Sequence, residues 1–426
     1  MPRRAPVLPG HRGTLAELYS SRANSFGVLR LVLASSVVLS HLWPLGWGPL
    51  DPLWRWSGEQ TDIGKMSVIG FFVLSGFMIS GSGARTTSGR YAWHRALRIL
   101  PGLWGSLLVS ALLIMPALYY WLHGSVNGYW NHPQGPLSYV QGMWNTSAST
   151  HWDISGVLAE GKARGTNFDP GVNGALWSLK YEIFCYIMVG LLAAGGVLTR
   201  ARKFVPLLAG ALGLLILRDW VTAPSLRGIP GDMAAAAQVP FLGSMSVHMV
   251  VHLCFVFLIG ATFQLYRDRL PVNDTLAALC ALVLGGTLLF GGVFVFGYPA
   301  FAYLLIWLAV RLPRPFQKVG RKRDYSYGIY IYGFTVEQAL ALTGYAKYGK
   351  PVFLLLAMAG TVVLAALSWH LVESPAMKAK NWTPWFVRKL QREPAAADRP
   401  GTAPGPIPGP DGADGAARPE QSSVSA

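Results

Sequence analysis

The chain has 426 residues, of which 52% are hydrophobic and only 13% charged, and its net charge is +16. Soluble domains carry about 25% charged residues, so this composition excludes a chain that faces water over its whole surface. In a soluble protein the positive balance would suggest nucleic acid; here Lys and Arg sit in short loops between apolar blocks, so the partner implied is membrane lipid and no nucleic acid is expected.

Apolar blocks of about 20 residues predict an all-α integral membrane protein with about ten transmembrane helices. In chain order the spans fall at about 26–46, 64–82, 99–121, 176–198, 204–217, 244–265, 273–291, 293–310, 327–344 and 351–372. The fifth is short, and only Gly-rich sequence separates the seventh and eighth. With the N-terminus inside, most of the 36 Lys and Arg residues fall in inside segments, including Arg85, Arg90, Arg267 and Arg269, which predicts that both termini are cytoplasmic. Residues 1–25 then form a cytoplasmic N-terminal segment and 26–375 a transmembrane domain. Residues 376–426 form a basic and then disordered cytoplasmic tail, too poor in apolar residues to fold. The first apolar run begins near Phe26 and leads into a long membrane chain, so it reads as a span and not as a cleaved signal.

The first span, NSFGVLRLVLASSVVLSHLWPLG, carries Arg30 and His41, both costly in hydrocarbon. Eleven steps of 100° end about 20° past three full turns, so the two side chains share one face, about 16 Å apart along the axis. They either line one polar channel, or Arg30 snorkels and His41 is a satisfied core imidazole. The second span ends in GFFVLSGFMIS. The inside loop after it, RYAWHRALRILPGLW, sets Arg95 and Arg98 three apart at the mouth of the third span. Arginine forks suit phosphate oxygens; the plain alternative is membrane topology.

The largest outside loop, about 122–175, is rich in Trp, His, Asn and Gly, including Trp130, Trp144, His151 and Trp152. Such residues fit sugar faces and hydroxyls, or an interfacial aromatic belt. The fourth span, VNGALWSLKYEIFCYIM, encloses Glu182. Lys180 is two residues away and cannot face it on a helix, so a partner on another helix is expected, either an Arg or an imidazole to orient. His248 and His252 lie four apart in the sixth span, but no third ligand is visible and no metal is expected. Cys185, Cys254 and Cys280 sit in apolar segments without motif spacing and read as core residues. The ninth span opens with RKRDYSYGIYIYGFTVEQ, where Tyr325, Tyr327, Tyr330 and Tyr332 crowd the inside boundary. No phosphate-binding loop, nucleophile elbow or dinucleotide fingerprint is present.

Taken together and in this order, these segments resemble acyltransferase family 3, the membrane proteins that include bacterial polysaccharide O-acetyltransferases. The resemblance runs from about Asn24 to Pro375. It rests on Arg30 with His41, Phe71 to Phe77, Arg95 with Arg98, Leu176 to Glu182, Ser326 to Tyr330, and Glu373 with Pro375. Two positions depart from it. Gly27 stands where members often carry Asp, so a carboxylate to hold Arg30 is missing there. Ile183 stands where many have a second Glu.

The resemblance implies an O-acyltransferase of a bacterial plasma membrane that moves an acyl group, by family habit acetyl, from cytoplasmic acyl-CoA to a carbohydrate or other exported hydroxyl. It further implies Arg95 and Arg98 on the donor phosphates, His41 as base or transient acyl carrier, and Arg30 and Glu182 shaping the site. The competing class is a secondary transporter, which would also have intramembrane charges, though no repeat relates the two halves. The acceptor, the acyl length and the oligomeric state have no signature in the sequence.

Overall fold

The computed structural model describes residues 13–21, 23–48, 50–146, 152–163, 171–222 and 236–382. The expected disordered tail, His151 and the residues before Gly13 lie outside them. The protein is a multi-pass helical membrane protein. Its main helices are α1 (Phe26–Gly46), α2 (Ile63–Gly83), α3 (Ser88–His123), α4 (Gly174–Ala194), α5 (Phe204–Thr222), α6 (Val247–Leu265), α7 (Asp274–Phe290), α8 (Val293–Arg311), α9 (Ser326–Leu342) and α10 (Lys350–Asn381). Among the described residues, eight of these are long and apolar enough to cross a membrane. The shorter α7 is apolar over 17 residues. The remaining helix, α9, also has 17 residues but carries Ser, Thr, Glu, Gln and three Tyr. It is almost wholly buried against α1 and α10, so its polar side chains face protein and not lipid.

The outer helices follow the opposite rule. In α5 and α7, Leu207, Leu214, Leu282 and Phe290 are exposed, as expected where the neighbour is lipid tail. Inside, glycines allow backbones to meet. A Cβ at Gly76 of α2 would stand 2.0 Å from the Phe257 carbonyl of α6, and one at Gly260 of α6 would stand 2.1 Å from the Val73 carbonyl of α2. These two helices share the most extensive contact in the bundle, built on small residues at the crossing.

Among the described residues three helices widen to a π turn, and each time a proline follows: Ser110–Ile114 before Pro116, Val293–Gly297 before Pro299, and Trp369–Glu373 before Pro375. Proline lacks the N–H for the carbonyl four residues back and its ring crowds that carbonyl; the wider turn accommodates both. In α10 the inserted residue turns Glu373 inward, where it is buried. The third helix begins well before the expected position 99, so Arg95 and Arg98 lie within a helix and not in a loop. Its cytoplasmic extension packs on the end of α10, where the Trp93 indole donates to the Ala379 carbonyl (3.0 Å).

Much of the 122–175 region is folded. Helices Pro136–Met143 and Val157–Ala163 enclose Tyr129, Tyr139, Ile154 and Leu158, all buried. Asp153 caps the second helix by accepting from the backbone of Ile154, Leu158 and Ala159. Burial pushes its pKa up against those bonds. At the other membrane face, the strand Gly13–Thr14 pairs antiparallel with Pro271–Val272 and clips the N-terminal segment onto the turn after α6.

Candidate functional site

A cavity of about 390 Å³ opens among α1, α2, α3, α4 and α9 at the end of the bundle where the basic residues gather. Arg30, Arg95, Arg98 and Glu182 all line it, so four of the five candidate residues, from three different helices, meet at one void. His41 does not line it. It sits three turns farther along α1, about 16 Å deeper by helical rise.

The charged floor of the cavity is an alternating chain. Arg30 Nη1 is 3.1 Å from Asp324, Arg98 Nη2 is 2.5 Å from the same oxygen, and Arg98 Nη1 is 3.5 Å from Glu373. Ser326 Oγ donates to Asp324 (2.6 Å) and Ser368 Oγ to Glu373 (3.0 Å). Burial alone would raise the Asp324 pKa, but Arg98, Arg30 and the Ser326 bonds outweigh it and hold the carboxyl below its usual range. Asp324 is therefore the carboxylate that holds Arg30, the role left vacant at Gly27. The position of Gly27 explains the exchange: a Cβ there would lie 2.2 Å from the Val319 carbonyl, so no side chain fits where α1 meets the chain leading to Asp324.

Arg95 differs from Arg98. Its guanidinium lies over the Tyr186 ring at 5.8 Å, and no carboxylate among the described residues pairs with it. Arg321 and Lys380 line the same mouth. Glu182 has its expected partner on another helix, but that partner is a hydroxyl: Ser75 Oγ of α2 donates to it at 3.1 Å, and the Tyr186 hydroxyl donates to the same oxygen. Among the described residues it neither pairs with an Arg nor orients an imidazole.

The carboxylate beside His41 is Glu337 of α9, with its oxygen 3.3 Å from Nδ1. Glu337 is fully buried, and neither of its oxygens has a hydrogen-bond partner. The His41 side chain keeps 20% of its surface exposed and meets the Phe334 ring edge-on at 4.8 Å. Tyr330, Phe334 and Glu337 follow at steps of four and three, so one stripe of α9 runs from the cavity wall to the imidazole.

That stripe is fixed by the segment leading into α4. Gln338 donates to the Gly171 carbonyl (2.8 Å), Thr335 to Val172 (3.0 Å), Asn173 to Ile331 (2.6 Å), and the Tyr330 hydroxyl to Ala175 (2.9 Å). Sequence reasoning missed Asp324 and Glu337. The signal available for Glu337 was an acid within the ninth span, the same signal that drew notice to Glu182. His248 and His252 do not converge as metal ligands: His248 faces Asp219 at 3.6 Å, and His252 Nδ1 contacts the His248 carbonyl.

A family model described as an acyltransferase domain matches residues 24–370. The chain is 28% identical over 392 residues to nodulation protein 10 of Rhizobium leguminosarum bv. viciae, covering 87% of this chain and 97% of that protein. It is 26% identical over 357 residues to the O-acetyl transferase of Shigella phage Sf6, covering 83% of this chain and 95% of that one. No solved structure matches.

Proposed function

We propose, on the premise that the chain belongs to the acyltransferase family matched over residues 24–370, that it transfers an acetyl or similar short acyl group from cytoplasmic acyl-CoA to a hydroxyl of an envelope glycan or other exported acceptor. Membership in an enzyme family removes the transporter reading. The observation that carries the proposal is the part-exposed His41 imidazole beside the fully buried Glu337, at the inner end of a stripe that begins in a cation-rimmed cavity. The relative named O-acetyl transferase supports acetyl as the group and oxygen as the acceptor atom.

In this reading the phosphates of the donor rest at the mouth of the cavity on Arg95, Arg321 and Lys380. Arg98, already held by Asp324 and Glu373, keeps the mouth in shape. The pantetheine arm passes Phe71 and Tyr330 toward His41. The Glu337 carboxyl, 3.3 Å from Nδ1, is placed to accept the Nδ1–H once the contact closes to a hydrogen bond during transfer, which leaves Nε2 as the base. Nε2 removes the acceptor O–H proton as the oxygen attacks the thioester carbonyl. The C–S bond breaks, and the proton passes from Nε2 to the departing thiolate. Transfer thus converts a thioester and an alcohol into an ester and a thiol, with no change of oxidation state.

The test is release of free CoA thiol from acetyl-CoA by the purified, reconstituted protein, together with an acetyl mass gained by the acceptor. Absence of both with every glycan and lipid fraction of the cell would sink the reading. Arg95→Lys keeps the charge and loses the fork, so the expected result is a raised KM for donor with little change in kcat. Substitutions at Arg98 are expected to lower the amount of folded protein instead. Sidedness has its own check: a cysteine at Trp144 should label only from outside and one at Arg90 only from inside. Labelling of both from one side contradicts the assignment of the donor to the cytoplasm.

A further inference from the structure

Two further cavities continue the large one along the same membrane face. The first, about 240 Å³, shares Arg30, Met78, Gly320 and Arg321 with it. The second, about 390 Å³, begins at Tyr19, Ser21 and Met78 and ends between Arg85 and Arg267, beside Ser20 and Gln264. Met78 lines all three, so they form one trough leading away from Arg95.

The far end of this trough is a built feature. The strand pairing of Gly13–Thr14 and the bond from Ala16 N–H to the Arg267 carbonyl (2.8 Å) hold Tyr19 to Ser21 against the turn after α6. Arg85 comes from the opposite wall, just past α2, where its N–H bonds to the Ser82 carbonyl (3.0 Å). Neither Arg85 nor Arg267 has a carboxylate partner among the described residues, while the nearby Asp268 faces Arg269. Between them, burial pushes the Tyr19 phenol pKa up and the two arginines pull it back. Gln264 Oε1 is buried there without a hydrogen-bond partner.

Topology alone accounts for arginines on this face. It does not account for two of them, from segments far apart in sequence, meeting at one end of a trough whose other end is the donor cavity. Two guanidinium forks without a carboxylate suit a phosphate monoester, which carries up to two charges and three acceptor oxygens.

We propose that the trough is the nucleotide subsite of the donor: the adenosine lies along Tyr19, and Arg85 and Arg267 hold its 3′-phosphate. This rests on the reading of the donor as acyl-CoA. It makes Arg85 and Arg267 specificity residues that recognise a group remote from the reacting thioester.

The experiment compares CoA with 3′-dephospho-CoA, which lacks only that phosphate, in binding to the reconstituted full chain. The wild type is expected to prefer CoA by about tenfold to a hundredfold, the range for charge-assisted hydrogen bonds. The Arg85→Ala/Arg267→Ala variant is expected to lose that preference by weakening CoA alone, with dephospho-CoA affinity and kcat at saturating donor unchanged. Both side chains are exposed, so the variant is expected to fold. Equal wild-type affinity for the two compounds would overturn the subsite, as would a parallel loss of both in the variant. In those outcomes CoA still binds and the donor reading stands. A wild type that binds neither compound removes the donor reading and the subsite together.

Discussion

A His41→Gln variant is expected to insert and fold at wild-type level, bind donor normally, and lose acyl transfer by about 10²–10⁴-fold, the contribution of a positioned general base. Gln keeps much of the size of the imidazole and can still donate toward Glu337, but it cannot take a proton at neutral pH. A packing residue would tolerate Gln better than Ala, whereas a base tolerates neither, so the pair of variants separates the two roles. Glu337→Gln supplies the second arm. It is nearly isosteric and replaces only the carboxyl group beside Nδ1 by an amide. The expected result is a lowered kcat with an unchanged KM for donor, because Glu337 lies away from the cavity lining. Near-normal transfer by His41→Gln would move the search for the base to Glu182, a carboxylate that lines the cavity and, among the described residues, has no cationic partner in the chain of charges.

Loss of Asp324 is expected to have the largest effect on stability. It is the only carboxylate among the described residues that pairs with Arg30, and it also holds Arg98. Replacing it by Asn leaves the part-buried Arg30 guanidinium without its carboxylate, a loss that costs at most about 3–5 kcal/mol, the figure for removing one partner of a fully buried pair. Thermal unfolding in detergent at pH 7 measures this.

The pH dependence has a definite sign. The folded pKa of Asp324 lies below the unfolded value, so the folded state binds the proton less well than the unfolded chain. Its stabilisation is complete above the unfolded carboxylate pKa of about 4 and is lost as pH falls through the lower folded value. The gap between wild type and Asp324→Asn should therefore be full at neutral pH and close in strong acid. The double variant Arg30→Met/Asp324→Leu removes both charges together. It is expected to recover much of the stability while remaining inactive. If Asp324→Asn unfolds like wild type at neutral pH, the chain of charges is not what holds this end of the bundle.

The sequence by itself determined the membrane class, nearly every helix, and the family. Runs such as 26–46 and 63–83 are set by local composition, because lipid demands apolar side chains and internally bonded backbone whatever the neighbours are. It also brought out Arg30, His41 and Glu182, because an ionisable group inside such a run stands out without any partner being known. It read Arg95 and Arg98 as a loop, since charge near a boundary marks topology and not where a helix starts.

Only the tertiary structure decided the partners. Helical spacing tells which residues share a face but not which helix that face meets, and apolar composition is the same toward lipid or protein. Thus Glu182, the acid seen first, bonds Ser75 and Tyr186, while the imidazole meets Glu337 on a helix distant in the chain. Gly27 read as a missing carboxylate until packing showed no room for a side chain there and Asp324 in its place. The inward turn of Glu373 depends on a π turn before Pro375, which periodicity at 3.6 residues per turn does not register. In each case the deciding quantity is a distance between segments far apart in sequence, fixed by how the bundle packs.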